Sequence, residues 1–577
     1  WGNFQARLGN AIQAIKNTRS WQISVASGER STLSGQHSAL HPRFLYHNFH
    51  NGLGLPLDSM RLFWKVMSLA YLGVFNGSEK LNAIELTKRL AWKHGGIANN
   101  LGIKDENLHD EYEALIRFPN LSSIAAGYFA ARHPHKLQRY WSDLRQQINN
   151  HPQLGAKHHE FCSRTRRPFQ LQRADAELKT LPDYGNGYNG VMFSSKWLAD
   201  DMGLNTSSEI ADLRSVIDSV QNRHFGDGSP ADWWVLVLGD GDGMGRYVSG
   251  SKLKNYSEYL VQDLIDFSNI EREGDDWQNL LNTKKRMGPA THVGLNRALL
   301  DFSNRLVPYI TEKRFCGRVI YSGGDDVKAV LSLAELPEYL RSLRAAWSGR
   351  EDPNGEFTNQ GGYWQWENAN NRPQEIPNRP LFTMGKGATM SLGIVIAHKS
   401  VPLPTVLENI WEAEKERAKK LLGRKSAQGR VIFPAKDGLC FRVIYSSGYV
   451  LEALMKGHLF ERWWKFIQAY DQIDFSPLLY RLAEELPRHA DVTQDYHLFR
   501  KVAKVVIANR DENLPPDTER ALLRWLDAWE QWAFSAMKQA QINNQNALGA
   551  TPNDMANLLK FSAFWVSRRR QEMNWEK

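Results

Sequence analysis

The stretch Trp233-Trp234-Val235-Leu236-Val237-Leu238-Gly239-Asp240-Gly241-Asp242-Gly243-Met244-Gly245 decides how the chain is read. Six consecutive apolar residues, closed by alternating Gly and Asp, describe a strand buried on both faces that empties into a glycine-rich turn. Working outward, Gly317 to Tyr321 and Val327 to Leu333 flank Ser322-Gly323-Gly324-Asp325-Asp326. Two strands about a Gly-Gly turn predict a β-hairpin. Thr389 to Ala397 is a further apolar strand. A helix follows Pro404, with Leu407, Ile410, Trp411, Ala418, Leu421 and Leu422 on one side, and Val431-Ile432-Phe433 reads as the closing strand. Residues 349–380, rich in Asn, Gln, Gly and Pro, read as a long mobile loop. The order β–α–α–β–β–α–β–α–β over 233–433 predicts an α+β fold built on a ferredoxin-like palm.

The flanks are mainly helical. Leu57 to Tyr71 and Ala83 to Trp92 carry helical apolar spacing, and the chain reads as helical again from about residue 440, with Trp463, Trp464, Trp525, Trp529 and Trp532 in stripes. This gives a division into 1–45, a remnant of an N-terminal palm-like or zinc-ribbon-like region; 46–230, mainly helical; 231–435, the palm; and 436–577, a C-terminal helical domain. The chain has 577 residues, enough for about three or four domains. No uncharged apolar run reaches the roughly 20 residues of a membrane span, and no leader pattern opens the chain. The opening residue, Trp1, is expected of a fragment or processed form. Three separated cysteines, Cys162, Cys316 and Cys440, give neither a disulfide framework nor a CxxC knuckle, and point to a reducing cytoplasm. The formal charge of +9 permits polyanion binding, and some of the 20 tryptophans are candidates for stacking on bases.

Acidic residues fall at two places on this scaffold. Asp240 and Asp242 end one strand; Asp325 and Asp326 form a hairpin tip. If the strands are neighbours, the carboxylates converge. Carboxylates held together repel unless a cation joins them, and oxygen-only donors select hard ions such as Mg²⁺ or Mn²⁺. Two ions about 4 Å apart activate a hydroxyl and neutralise a leaving pyrophosphate. Gly241, Gly243 and Gly245 let backbone N–H groups approach phosphates, and Gly323 and Gly324 leave room for a nucleotide. Either Asp-Gly motif alone is also an ordinary turn; the pair within one α/β unit favours a metal–nucleotide site. Lys415 and Lys419 share a helical face, with Arg424 after them, so that one of these cations is a candidate to grip a triphosphate. A solvated basic face is the plain alternative for each.

Residues 233–433 resemble the polymerase/cyclase palm shared by GGDEF-type nucleotide cyclases and the large subunit of type III CRISPR effector complexes, most closely the Cmr-type subunit of the Cas-ten family. The resemblance rests on Asp240-Gly241-Asp242-Gly243-Met244-Gly245, His292 before Leu299-Leu300, Tyr321-Ser322-Gly323-Gly324-Asp325-Asp326-Val327-Lys328-Ala329, Ser391 to His398, and Ala418-Lys419-Lys420 with Gly423-Arg424. Outside the palm it extends to Leu86-Thr87-Lys88-Arg89, Phe118 to Ala125, and Ser446-Ser447-Gly448 as the start of the C-terminal helical domain. It implies metal binding by Asp240, Asp325 and Asp326 with Gly241, and catalysis by the three carboxylates. It also implies nucleotide binding by Asp242, Gly243, Met244, Gly245, Ser322, Gly323, Gly324, Lys419 and Arg424. Asp242 is expected to support its loop rather than to carry an ion directly.

The same resemblance implies that ATP is converted to cyclic oligoadenylate when target RNA pairs with guide CRISPR RNA, in an assembly with other effector subunits and no membrane. Two features depart from the family. Ser24 to Glu29 and Asn82 to Glu85 stand where members often have CxxC pairs, so no zinc is expected. His109-Asp110 lacks the residues of an HD nuclease, and His158-His159 with Cys162 is a weak ligand cluster. Two alternatives stay open. One is a structural RNA-binding subunit with an inactive palm, suited by Arg164-Thr165-Arg166-Arg167 and Arg568-Arg569-Arg570. The other is a stand-alone cyclase using GTP without RNA.

Overall fold

The computed structural model describes residues 2–18, 29–35, 37–40, 59–71, 74–75, 79–91, 96–100, 119–157, 190–204, 206–226, 228–267, 274–427, 431–469, 474–489, 498–509 and 514–576. His109-Asp110, His158-His159, Cys162 and Arg164–Arg167 lie outside them.

Eleven strands are present among the described residues: β1 (Trp233–Gly241), β2 (Arg318–Gly323), β3 (Asp326–Ser332), β4 (Phe357–Gln360), β5 (Tyr363–Trp366), β6 (Leu381–Phe382), β7 (Met390–His398), β8 (Arg424–Lys425), β9 (Val431–Phe433), β10 (Gly438–Ile444) and β11 (Val450–Lys456). Six form the main sheet, in the order β11-β10-β7-β1-β3-β2. Four consecutive strands, β7-β1-β3-β2, are antiparallel throughout, which is the ferredoxin-like arrangement. The fold is α+β, as the strand and helix alternation predicts.

Both faces of β1 are covered, which is why its run is apolar without alternation. Trp234 and Leu236 pack with Val395 and Ala397 against the helices before the palm; Val235 and Val237 belong to the core shared with the C-terminal helices. The tryptophans of those helices are core residues: Trp463, Trp525, Trp529 and Trp532 are buried to 1% exposure or less, and Trp464 is buried too. They offer no face to a base. Arg568 lies over the Trp233 ring and Arg570 pairs with Asp474, so this basic run is also engaged internally. No helix among the described residues is long and apolar enough to cross a membrane.

Three sequence expectations are corrected. Residues 349–380 contain β4 and β5, which with β6 form a three-stranded sheet rather than a loop. Gln360 pairs with Tyr363 around Gly361 and Gly362, both at positive φ, and Phe357 stacks on the buried Trp364. The Gly-Gly turn favours a hairpin whatever the polar composition around it. Val431–Phe433 does not close the palm; it pairs with β8 in a separate ribbon. The closing strands are β10, parallel to β7, and β11. Residues 438–456 are therefore sheet, not helix, and Ser446 to Gly448 lies in the β10–β11 connection. All seven residues of β10 are buried, so no alternation marks it as a strand.

Candidate active site

Continuing the β1–β3 register one residue past Gly239↔Val327 sets Asp240 opposite Asp326. Neighbouring strands lie about 5 Å apart, so these residues sit side by side at one end of the sheet. Gly323 pairs with Asp326, which leaves Gly324 and Asp325 as a two-residue turn, with Gly324 at φ +62°. Asp325 comes back against β1: a Cβ added at Gly241 would meet the Asp325 Cβ at 2.9 Å and the Trp347 ring at 2.5 Å. Trp347 is itself fixed, donating Nε1–H to the Thr389 carbonyl at 3.0 Å.

Asp325 and Asp326 respond to the charges around them. Burial, then the charges of Asp240 and Asp326, push Asp325 up to about 6, against its own backbone hydrogen bond and the cation of Lys419. Asp326 is raised by burial and by Asp240. A cluster that strains to hold its own charge is what a cation relieves.

Part of that relief comes from Lys419, whose ammonium pairs with Asp240 and, at 2.5 Å, with Glu414. Glu414 was not singled out from the sequence. The helix Leu403–Glu412 widens into a π-helical turn, Ala413–Arg417, and residues five apart then face the same way. Gly393 of β7 admits this turn, since a Cβ there would lie 2.8 Å from the Glu414 nitrogen. Lys415 lies over Trp411 at 4.0 Å, and its charge bears on Asp326.

Other expected residues go elsewhere. Asp242 is buried and turned inward. Its carboxylate accepts from Thr389 Oγ1 (2.9 Å), Ser391 Oγ (2.8 Å) and the Asp437 amide (2.9 Å). Its carboxylate therefore ties the end of β1 to the start of β7 and to the turn before β10. Arg424 donates to Ser535 Oγ at 3.1 Å on a C-terminal helix and is not part of the cluster. Ser322 donates to the Ser303 carbonyl at 2.9 Å. The absent side chain of Gly323 spares Tyr321, whose hydroxyl would lie 2.6 Å from a Cβ; Gly324 faces open space. Gly243, at φ +74°, caps the short helix Met244–Val248, and Gly245 is open.

Among the described residues, no three His, Cys, Asp or Glu side chains form a ready-made metal cage. The donors nonetheless suit a hard divalent ion. Mg²⁺ keeps several waters and takes one or two carboxylates together with substrate phosphates, and the carboxylates of Asp240, Asp325 and Asp326, gathered at one end of the sheet, suit that need.

A palm sheet presenting carboxylates from a central strand and its neighbouring hairpin tip defines a nucleotidyltransferase-like fold. Residues 235–428 match the family described as Cas10/Cmr2, second palm domain. The palm is thus similar to that of the Cmr-type large subunits of type III CRISPR systems. It is 26% identical over 261 residues to CRISPR system Cmr subunit Cmr2 of Pyrococcus furiosus, covering 45% of this chain and 24% of that protein. It is 27% identical over 191 residues to CRISPR system CMR subunit Cmr2 of Saccharolobus solfataricus, covering 32% of this chain and 17% of that one. The matched region is thus about a quarter or less of these relatives' length. Two solved structures share the fold over 90% of the chain: type III-B Cmr-beta in its apo state (TM-score 0.50, 15% identity, 57% of that chain) and Cmr-beta bound to cognate target RNA (TM-score 0.52, 16% identity, 58% of that chain).

Proposed function

We propose that the palm joins ATP molecules into cyclic oligoadenylate within an RNA-guided effector complex of the Cmr type. The observation that supports this best is the register that sets Asp240 beside Asp326, with Asp325 folded back on Gly241. Asp240, Asp325 and Asp326 would hold Mg²⁺ or Mn²⁺, and ions bound there would favour ionisation of a ribose 3′-hydroxyl and neutralise a departing pyrophosphate. Lys419 pairs with Asp240, Trp347 and Gly241 fix Asp325 in place, and Asp242 holds the strand ends that carry the cluster. Guide CRISPR RNA, target RNA and other effector subunits are the proposed partners, consistent with a similar fold in a Cmr-beta complex bound to cognate target RNA.

The rival reading is a structural subunit with an inactive palm. It is favoured by the Lys419–Asp240 pair, which places a protein cation where an ion would sit. Incubating the assembled complex with ATP, Mn²⁺ and target RNA separates the two. Cyclic product that disappears in the Asp325→Ala/Asp326→Ala variant, with folding retained, supports catalysis; product retained by that variant overturns it. Product formed from GTP without RNA would favour a stand-alone cyclase.

A further inference from the structure

Three cations gather at the glycine loop that follows Asp240: Arg246, one residue past Gly245, Lys252, and Lys436, whose neighbour Asp437 donates its amide to Asp242. A Cβ at Gly243 would lie 3.2 and 3.3 Å from the Arg246 guanidinium and 3.5 Å from Lys252 Nζ. Lys252 Nζ donates to the Asp242 carbonyl at 3.2 Å and lies 4.2 Å above the Tyr247 ring. Lys436, at positive φ in the turn leading into β10, precedes Asp437, whose amide donates to Asp242 at 2.9 Å, so this turn lies against the loop. Burial, Arg246 and Lys436 together hold the Lys252 ammonium below its ordinary pKa, against the pull of Asp242.

Among the described residues, none of these three cations pairs with a carboxylate. Lys419, by contrast, is bound to both Asp240 and Glu414. Like charges gathered without a counter-ion destabilise a fold unless an anion completes them. The gathering is also local: two of the three bracket a single glycine. That suits several phosphate charges on one small molecule better than an extended backbone, where single-strand phosphates lie several ångströms apart. Gly243 is two residues beyond Gly241, which abuts Asp325, so an anion held here lies within roughly 7 Å along the chain of the carboxylate cluster.

The geometry points to Arg246, Lys252 and Lys436 as the seat for the polyphosphate tail of a nucleoside triphosphate, with Lys419 serving as counter-ion to Asp240 rather than as a phosphate grip. This rests on the nucleotidyl-transfer reading for the identity of the ligand, but its test does not use turnover.

The probe is inorganic tripolyphosphate, titrated calorimetrically into the full chain without divalent ions, so that the carboxylates contribute no bound metal. Arg246→Gln and Lys252→Gln should each weaken binding about tenfold, as expected when one charge-assisted contact to an anion is lost. Lys419→Met should leave it unchanged or strengthen it. Arg246 is exposed, so its variant tests the seat without a folding defect; thermal denaturation checks the other two. Wild-type affinity in the Arg246→Gln/Lys252→Gln variant overturns the proposal, as does loss of binding in Lys419→Met with folding intact. If the double variant loses a single-stranded RNA oligonucleotide but keeps tripolyphosphate, the cations serve RNA and the proposal also fails. Should Asp325→Ala/Asp326→Ala retain turnover while the tripolyphosphate results hold, the catalytic assignment falls and the anion seat stands.

Discussion

Gly241 and Asp325 are in contact across the β1–hairpin junction, close enough that a Cβ at position 241 would lie 2.9 Å from that of Asp325. The glycine is needed for this approach, not for its backbone angle, since its φ is not positive. Gly241→Ala should therefore push Asp325 and the Trp347 ring outward. Overpacking a buried site costs about 1–3 kcal/mol, and Mn²⁺ affinity should fall with it. Gly245→Ala, where nothing lies within 4 Å, is the control and should change neither. Thermal denaturation with Mn²⁺ titration reads both; an unchanged Mn²⁺ affinity in Gly241→Ala would separate Asp325 from ion binding.

Asp325 makes stability pH-dependent in a definite direction. Its folded pKa, about 6, is above its ordinary value, so the folded state holds the proton more tightly and stability declines as pH rises from about 4 to about 6. Asp325→Asn removes that loss. At pH 7 the variant should be more stable than the parent by on the order of 1 kcal/mol, after allowance for solvent screening, and the gain should vanish near pH 4. Added Mn²⁺ should stabilise the parent more than the variant. Denaturant midpoints at pH 4 and pH 7, with and without Mn²⁺, decide it.

Asp242 and Asp240 look alike in the sequence but are held differently, and substitution should separate them. Replacing Asp242 by Ala strands the Thr389 and Ser391 hydroxyls and the Asp437 amide in the interior. Leaving buried donors unmatched costs about 1–3 kcal/mol for each group that finds no water, so Asp242→Ala should lower the melting temperature sharply. Asp240→Ala should not, although it should reduce divalent-ion affinity. The reverse pattern of melting temperatures would mean that the inward carboxylate is Asp240.

Which parts of this were legible follows from where the determining contacts lie along the chain. β1 and the β2–β3 hairpin announce themselves because an apolar run and its glycine turn are adjacent in sequence. The supporting role of Asp242 was expected, but its partners are hidden because they come from Thr389 and Ser391 at the start of β7 and from the turn before β10, far away in sequence. β10 escapes a pattern reading because burial on every side removes the alternation that marks a strand. Gly361-Gly362 was a readable hairpin turn masked by the polar composition around it. Glu414 was out of reach: helical spacing of 3.6 residues would set it away from Lys419, and only the π turn brings the two together.

That last pair supports the sharpest test of the cluster's electrostatics. Glu414 is almost completely buried, and its carboxyl is pushed up by burial, with Asp240 adding to the rise and Lys419 opposing it. Burial pulls the Lys419 ammonium down, but Asp240 and Glu414 outweigh it and hold the group above its usual range. Lys419→Met alone leaves a buried carboxylate without its cation, which should destabilise the fold by about 3 kcal/mol. Glu414→Gln alone leaves Lys419 its Asp240 partner and should cost less. The double variant Lys419→Met/Glu414→Gln should recover much of the loss seen in Lys419→Met, giving a favourable coupling that unfolding measured across the four proteins would report. Additive losses would mean that Lys419 is anchored by Asp240 alone. The same double variant, with Asp240 freed from its ammonium, should also bind Mn²⁺ more tightly than the parent, because the cation competing for that carboxylate is gone.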